Sequence, residues 1–61
     1  MTPLNHRGET IDECANRLER EKNGTSHLYA HRVALVLELK GREQEAVFYR
    51  VVAHLLTAKH S

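Results

Sequence analysis

The chain has 61 residues, a formal net charge of +1 and a single cysteine, Cys14. This length accommodates one domain and no separate catalytic module. One cysteine cannot form an intramolecular disulfide, and there is no cysteine pair to bind zinc. A domain this small buries only about 60% of the surface that its unfolded chain exposes, so its stability must come from tight packing or self-association.

Composition and charge also indicate whether the chain binds nucleic acid or crosses a membrane. Nine Lys and Arg are balanced by eight Asp and Glu, with no block of either sign, whereas a nucleic-acid-binding domain normally carries a basic stripe. No stretch approaches the roughly 18–20 apolar residues that cross a bilayer, so we expect no membrane span. Because no apolar leader follows Met1 and a lone cysteine stays reduced inside cells, we expect a cytoplasmic protein.

The N-terminal segment differs in composition from the rest of the chain. Residues 1–9 contain Pro3, Asn5 and Gly8 and only one large apolar residue. This composition is typical of chain termini without regular structure. We therefore predict a flexible tail over residues 1–9 and a single helical domain over residues 10–61.

The first predicted helix spans about residues 10–22. Thr10 and Glu13 match a capping box, in which the Thr10 hydroxyl accepts a hydrogen bond from the Glu13 amide and the Glu13 carboxylate accepts one from the Thr10 amide. Asn23 and Gly24 can adopt the left-handed conformation that ends helices. One narrow apolar stripe follows helical spacing: Ile11, Cys14, Ala15 and Leu18.

The outer face of this first helix is charged. Glu13, Arg17 and Glu21 follow one another at i, i+4 spacing, which favours the pairs Glu13–Arg17 and Arg17–Glu21. Such a face is usually solvated and self-paired, although it could also bind a charged partner.

Two further helices are predicted over about residues 26–40 and 42–59. Thr25 and Ser26 supply an N-cap for the second helix, and Gly41 is suited to end it. Glu43 and Glu45 lie in the first turn of the third helix, where negative charge is favourable. The connection is so short that helices two and three must form an antiparallel hairpin.

The widths of the apolar faces predict how these helices pack. The third helix is apolar over roughly three quarters of its circumference, and its polar wedge holds Arg50 and His54. The second helix has a broad apolar face and a separate stripe of three leucines: Leu28, Leu35 and Leu39. The first helix is too small to cover both neighbours. The remaining surface would exceed the few hundred Å² of contiguous apolar area that monomers tolerate.

We therefore predict an all-α homodimer in which two hairpins form a four-helix core with the first helices outside. Another protein could occupy the same surface instead of a second copy. In the alternative fold, the three helices form a compact monomer whose tail covers the remaining apolar area. The residues predicted for the interface are Leu35, Leu39, Phe48, Val52, Leu55 and Leu56.

Candidate chemical residues are few. His27 and His31 have the i, i+4 spacing that lets two imidazoles face one metal ion, but no motif supplies a third ligand, so we predict no metal site. Cys14 lies on the apolar stripe of the first helix and is interpreted as a core residue. No nucleophile elbow or phosphate-binding glycine loop is present. We predict no catalytic residue, no cofactor and no enzyme activity.

The chain resembles a family of short bacterial proteins of unknown function, best known from alphaproteobacteria, over about residues 11–56. The similarity lies in Cys14-Ala15, Leu18-Glu19-Arg20-Glu21, Arg32 with Leu37 and Gly41, and Tyr49 with Val52 and Ala53. The sequence departs from the family at Arg42, where an acidic residue is common, and at Tyr49, where Trp is usual. The resemblance implies a small helical fold and no known activity.

A second resemblance involves Thr10-Ile11-Asp12 and Ala46-Val47-Phe48-Tyr49 followed by His54, which are similar to Hha-type modulators of nucleoid proteins, although the two blocks lie about fifteen residues too far apart.

Two functional hypotheses follow. The first is a self-associating protein-interaction module. The alternative is a nucleic-acid-associated regulator that uses Arg50, His54 and the basic helix ends.

Overall fold

The computed structural model describes residues 4–60, and the side chains of residues 59 and 60 lie outside the described part. The chain forms three helices, which we label α1 (Ile11–Glu21), α2 (Ser26–Leu39) and α3 (Glu43–His60), and residues 4–60 contain no strand. The all-α fold class is confirmed, and each predicted helix boundary lies within one residue of the observed one.

Helix α1 begins at the predicted capping box. The Glu13 amide donates to the Thr10 hydroxyl over 3.2 Å, and the Thr10 amide donates to the Glu13 carboxylate over 3.0 Å. Two amides at the helix start, which have no partner within the helix, are satisfied in this way. The helix start is therefore fixed by four residues of local sequence.

The turn between α2 and α3 is a Schellman motif centred on Gly41. Gly41 has a φ of +79°, its amide donates to the Glu38 carbonyl over 3.0 Å, and the Arg42 amide donates to the Leu37 carbonyl over 2.9 Å. A left-handed residue at this position favours glycine because a Cβ atom is strained there. The turn ends α2 and lets α3 begin two residues later.

Helices α2 and α3 run antiparallel and pack closely, as predicted. Glu38, near the end of α2, pairs with Arg50 near the middle of α3, whereas His27, near the start of α2, lines the same groove as Thr57 near the end of α3. Small side chains allow the close approach, since the buried residues include Ala30, Ala34, Ala46 and Ala53. Helix α1 packs mainly on α3.

The core lies between the three helices. Its largest fully buried side chains are Leu18 of α1 and Val52 and Leu56 of α3. The Phe48 and Tyr49 rings also lie in it and meet edge to face, with centroids 5.5 Å apart. This core belongs to a single chain and draws on all three helices.

The start of α2 differs from the predicted cap. Thr25 occupies the N-cap position, but its hydroxyl donates to the Lys22 carbonyl over 3.3 Å and makes no capping bond. The Ser26 hydroxyl is fully buried and donates to the Glu19 carboxylate of α1 over 2.8 Å. The beginning of α2 is therefore tied to α1 by Ser26.

Residues 5–9 form a hydrogen-bonded turn ahead of α1. The Asn5 side-chain carbonyl accepts from the amides of Arg7 and Glu9, both over 2.9 Å, and the Gly8 amide donates to the Asn5 backbone carbonyl over 3.0 Å. This turn lies within the stretch predicted as a flexible tail. Residues 1–3 of that tail lie outside the described residues, and its flexibility stays a prediction.

Candidate functional site

The outer face of α2 carries large apolar side chains that the chain's own helices leave uncovered. Leu28, Leu35 and Leu39 are 61%, 49% and 89% exposed. Leu35 follows Leu28 by seven residues, and Leu39 follows Leu35 by four. The three side chains therefore lie on one side of the helix. We call Leu28, Leu35 and Leu39 the leucine stripe.

The leucine stripe lies opposite the face of α2 that enters the core. At about 100° per residue, Ala30 and Ala34 point roughly 120–160° away from the leucines, and both alanines are buried. Helix α2 therefore buries two alanines, with the half-buried Val33 and Leu37 beside them, and leaves three leucines on its outer face. A surface helix with a single apolar face normally has the reverse arrangement.

Polar residues border the leucine stripe on both sides. His31 and Glu38 lie on the edge that faces α3, and Arg32 lies on the other edge. A shallow depression of about 490 Å³ runs beside Leu28 and Leu35. It extends to Tyr29, whose ring lies 5.1 Å from the Lys22 ammonium. The stripe is thus apolar at its centre and charged at its rim, which is the general anatomy of a protein interface.

The residues predicted for the dimer interface fall into two groups. Phe48, Val52 and Leu56 are at most 3% exposed and belong to the core of the single chain. Because α1 and α2 cover these three side chains, a folded copy does not present them to a partner. Leu35 and Leu39 are exposed, Leu55 is half-buried, and only the first two lie on the leucine stripe.

Leu28 was missed by the interface prediction although it completes the stripe. The sequence signal was its spacing of seven residues from Leu35, two helical turns along the same face.

A second apolar area lies on α3, beside the start of α1. Ile11, Val47 and Val51 line a depression of about 430 Å³ together with Gln44 and the edge of Phe48. Val47 is 55% exposed and Val51 is 39% exposed. Its exposed apolar residues, Val47 and Val51, have shorter side chains than the leucines of the stripe. This area provides a surface on which matched control substitutions can be made.

The histidines singled out in the sequence lie around one groove. His27 and His31 of α2 and His54 of α3 line a groove of about 400 Å³ that also contains Arg50 and Thr57. Among the described residues, no three side chains of His, Cys, Asp or Glu are placed to hold a metal ion together. No metal centre is therefore assigned to this groove.

Arg50 is also the central residue of the nucleic-acid hypothesis. Its guanidinium forms an ion pair with Glu38 across the hairpin. The Glu38 carboxylate offsets the positive charge that a phosphate group would meet at Arg50. The geometry therefore gives the nucleic-acid hypothesis no specific support.

Arg17 pairs differently from the sequence prediction. The predicted pair with Glu21 is present at 3.0 Å. The carboxylate of Glu13 serves the capping box, and Arg17 instead pairs with Glu9 at 2.7 Å. These contacts lower the pKa of the Glu9 carboxyl below its ordinary range, chiefly through the Arg17 hydrogen bonds and then through that from Asn5.

No helix of the described residues is long and apolar enough to cross a membrane. Comparison of the chain with models of protein families, with curated proteins and with solved structures finds no match. The resemblance to short bacterial helical proteins therefore stays a prediction, and the leucine stripe is the feature from which a function can be proposed.

Proposed function

We propose that this protein is a protein-interaction module that self-associates through the outer face of α2. The observation that carries the proposal is the leucine stripe, in which Leu28, Leu35 and Leu39 are between 49% and 89% exposed on one face of a helix. Burying apolar surface contributes roughly 25 cal/mol per Å². A contiguous row of three leucines is therefore a favourable surface for association.

A second copy of the chain suits this face because the polar groups at its edge are self-complementary. His31 and Glu38 lie on the same edge of the stripe, seven residues apart. Two antiparallel copies related by a twofold axis bring like edges together, so His31 of one copy approaches Glu38 of the other, and the contact occurs twice. Arg50 already pairs with Glu38, but a carboxylate has about four acceptor positions and can take a second donor.

The size of the face predicts a weak dimer. A stable interface buries about 800 Å² on each partner, which is nearly a fifth of the 4415 Å² that this chain exposes. Helix α2 has 14 residues and is about 21 Å long. Contact along one such helix covers only part of that area, so we expect association that depends on concentration.

Absolute molar mass by light scattering tests the proposal. Over a hundredfold concentration range, the mass should rise from 7.0 kDa toward twice that value. Leu35→Glu places a charge at the centre of the stripe and should keep the protein at the monomer mass throughout. Circular dichroism should show that this variant keeps its helix content, because Leu35 is already half exposed.

Val47→Glu is the matched control, since it places the same charge on an exposed apolar residue of α3. It should dimerise like the unmodified protein. If Val47→Glu abolishes association and Leu35→Glu does not, the interface lies on α3 and the leucine stripe is wrong. A constant mass of 7.0 kDa over the whole range would reject self-association altogether.

A further inference from the structure

Residues 4–9 precede α1 and are bonded to it through Glu9 and Arg17, and we call them the strap. Their polar contacts centre on Asn5, which is only 7% exposed although it lies near the end of the chain. The Asn5 side chain donates to the Glu9 carboxylate over 2.9 Å and accepts from the Arg7 and Glu9 amides. A buried amide with all these partners is a built contact that holds the strap in one conformation.

A two-point ion pair joins the strap to α1. The Arg17 Nε lies 2.7 Å from Glu9 Oε2, and the Arg17 Nη2 lies 3.2 Å from Glu9 Oε1. The two side chains are only 19% and 17% exposed, whereas Glu21, the other partner of Arg17, is 51% exposed. Partly buried bidentate pairs are stronger than exposed ones. Glu9 is therefore the main electrostatic anchor of the strap.

Two buried groups interact with strap residues. Cys14 of α1 is fully buried and Tyr49 of α3 is 5% exposed. The Tyr49 hydroxyl interacts with the side chains of Asn5 and Cys14, and burial raises the pKa values of both the Tyr49 hydroxyl and the Cys14 thiol. The strap thus lies beside a buried thiol on α1 and a buried phenol on α3.

The strap has little apolar attachment of its own. Leu4 is its one large apolar residue, and it is 56% exposed. The three helices, in contrast, share an apolar core that contains no strap residue. Local opening of a segment costs less than global unfolding when few apolar contacts are broken.

We propose that the strap opens away from Cys14 and Tyr49 while the three-helix core stays folded, and that the Glu9–Arg17 ion pair keeps it closed. The inference is independent of self-association through the leucine stripe. It assigns the strap a regulatory role, since we expect its opening to expose the only thiol in the chain.

Protonation of Glu9 is the chemical event that releases the strap. The charged and titratable groups that interact with Glu9 are Arg17 and Cys14 on α1 and Arg7 within the strap. Because contact with Arg17 lowers the pKa of Glu9 below the ordinary 4.5, the closed strap is fully stabilised above that pH. The stabilisation is lost as the pH falls through the lower pKa of the closed state.

The labelling rate of Cys14 by 4,4′-dithiodipyridine measures the opening directly. Each rate is divided by that of an unfolded peptide of residues 11–20 in the same buffer, which removes the intrinsic pH dependence of the thiol. The normalised rate should exceed what global unfolding permits and should stay constant in urea below the unfolding transition. It should rise as the pH falls below about 4.5.

Glu9→Gln should raise the normalised rate about tenfold at pH 7 and remove its rise in acid, because the amide keeps the shape but loses the charge-assisted hydrogen bonds. Glu21→Gln is the matched control: it removes the other carboxylate of Arg17 and should change the rate less than twofold. If the two variants label at equal rates, or if labelling follows global unfolding in urea, the strap does not open independently. The same acid dependence in Glu9→Gln would reject the role of Glu9.

Discussion

Two leucines that a sequence-based interface assignment groups together should behave in opposite ways when truncated. Leu56 is fully buried between the helices, whereas Leu39 is 89% exposed at the end of α2. Truncation to alanine removes the same atoms from each. The chemistry of the two substitutions is identical, so any difference in stability reports on their surroundings.

The expected difference is large for so small a protein. Leu→Ala in a packed core costs about 2.7–5 kcal/mol, and a chain of 61 residues has a total stability of about 3–9 kcal/mol. Leu56→Ala should therefore remove between about a third of the stability and all of it. Leu39→Ala should change it by less than about 0.5 kcal/mol, as surface substitutions do.

Urea denaturation followed by far-ultraviolet circular dichroism measures both variants. A temperature of about 10 °C lies near the usual stability maximum and keeps Leu56→Ala measurable. The lowest workable concentration keeps the protein monomeric, so that association does not add to the apparent stability. Equal losses for the two variants, or a loss under about 1 kcal/mol for Leu56→Ala, would refute the assignment of Leu56 to the core of a single chain.

Three further substitutions test the helix ends. Thr10→Ala should cost about 1 kcal/mol because it removes the hydroxyl of the capping box. Thr25→Ala, at an N-cap position without a capping bond, should cost clearly less in the same urea titration. Equal costs would contradict the assignment of the stabilising cap to Thr10. Gly41→Ala should cost about 1–2 kcal/mol, since φ is +79° and nothing crowds the position, so the loss is backbone strain alone. A neutral effect on the thermal midpoint would contradict this account of the turn.

The helices were predictable because their ends are determined by short stretches of sequence. The capping box at Thr10 and Glu13 and the glycine at position 41 act within four residues, and each is observed where it was predicted. The leucine stripe was also visible as a second apolar side of α2, because the direction of each side chain follows from its position in a regular helix.

The parts that could not be predicted depend on residues far apart in the chain. The width of the apolar face on α3 indicates how much surface must be covered, but not whether α1 or a second copy covers it. Phe48, Val52 and Leu56 were assigned to an interface for that reason, and they lie in the monomer core. The contact between Asn5 and Tyr49 spans most of the sequence, and no periodicity indicates it.

The two faces of α2 separate two properties of the protein that could otherwise conflict. One is the packing of the core, and the other is the surface that meets a partner. The alanines of its inner face determine how closely α3 can approach, while the leucines of its outer face contribute little to the folded monomer. Replacing an outer leucine is nearly neutral for folding, although it alters the surface that a partner meets. Descendants of this sequence could therefore exchange binding specificity through the outer positions of a single helix and keep the inherited fold intact.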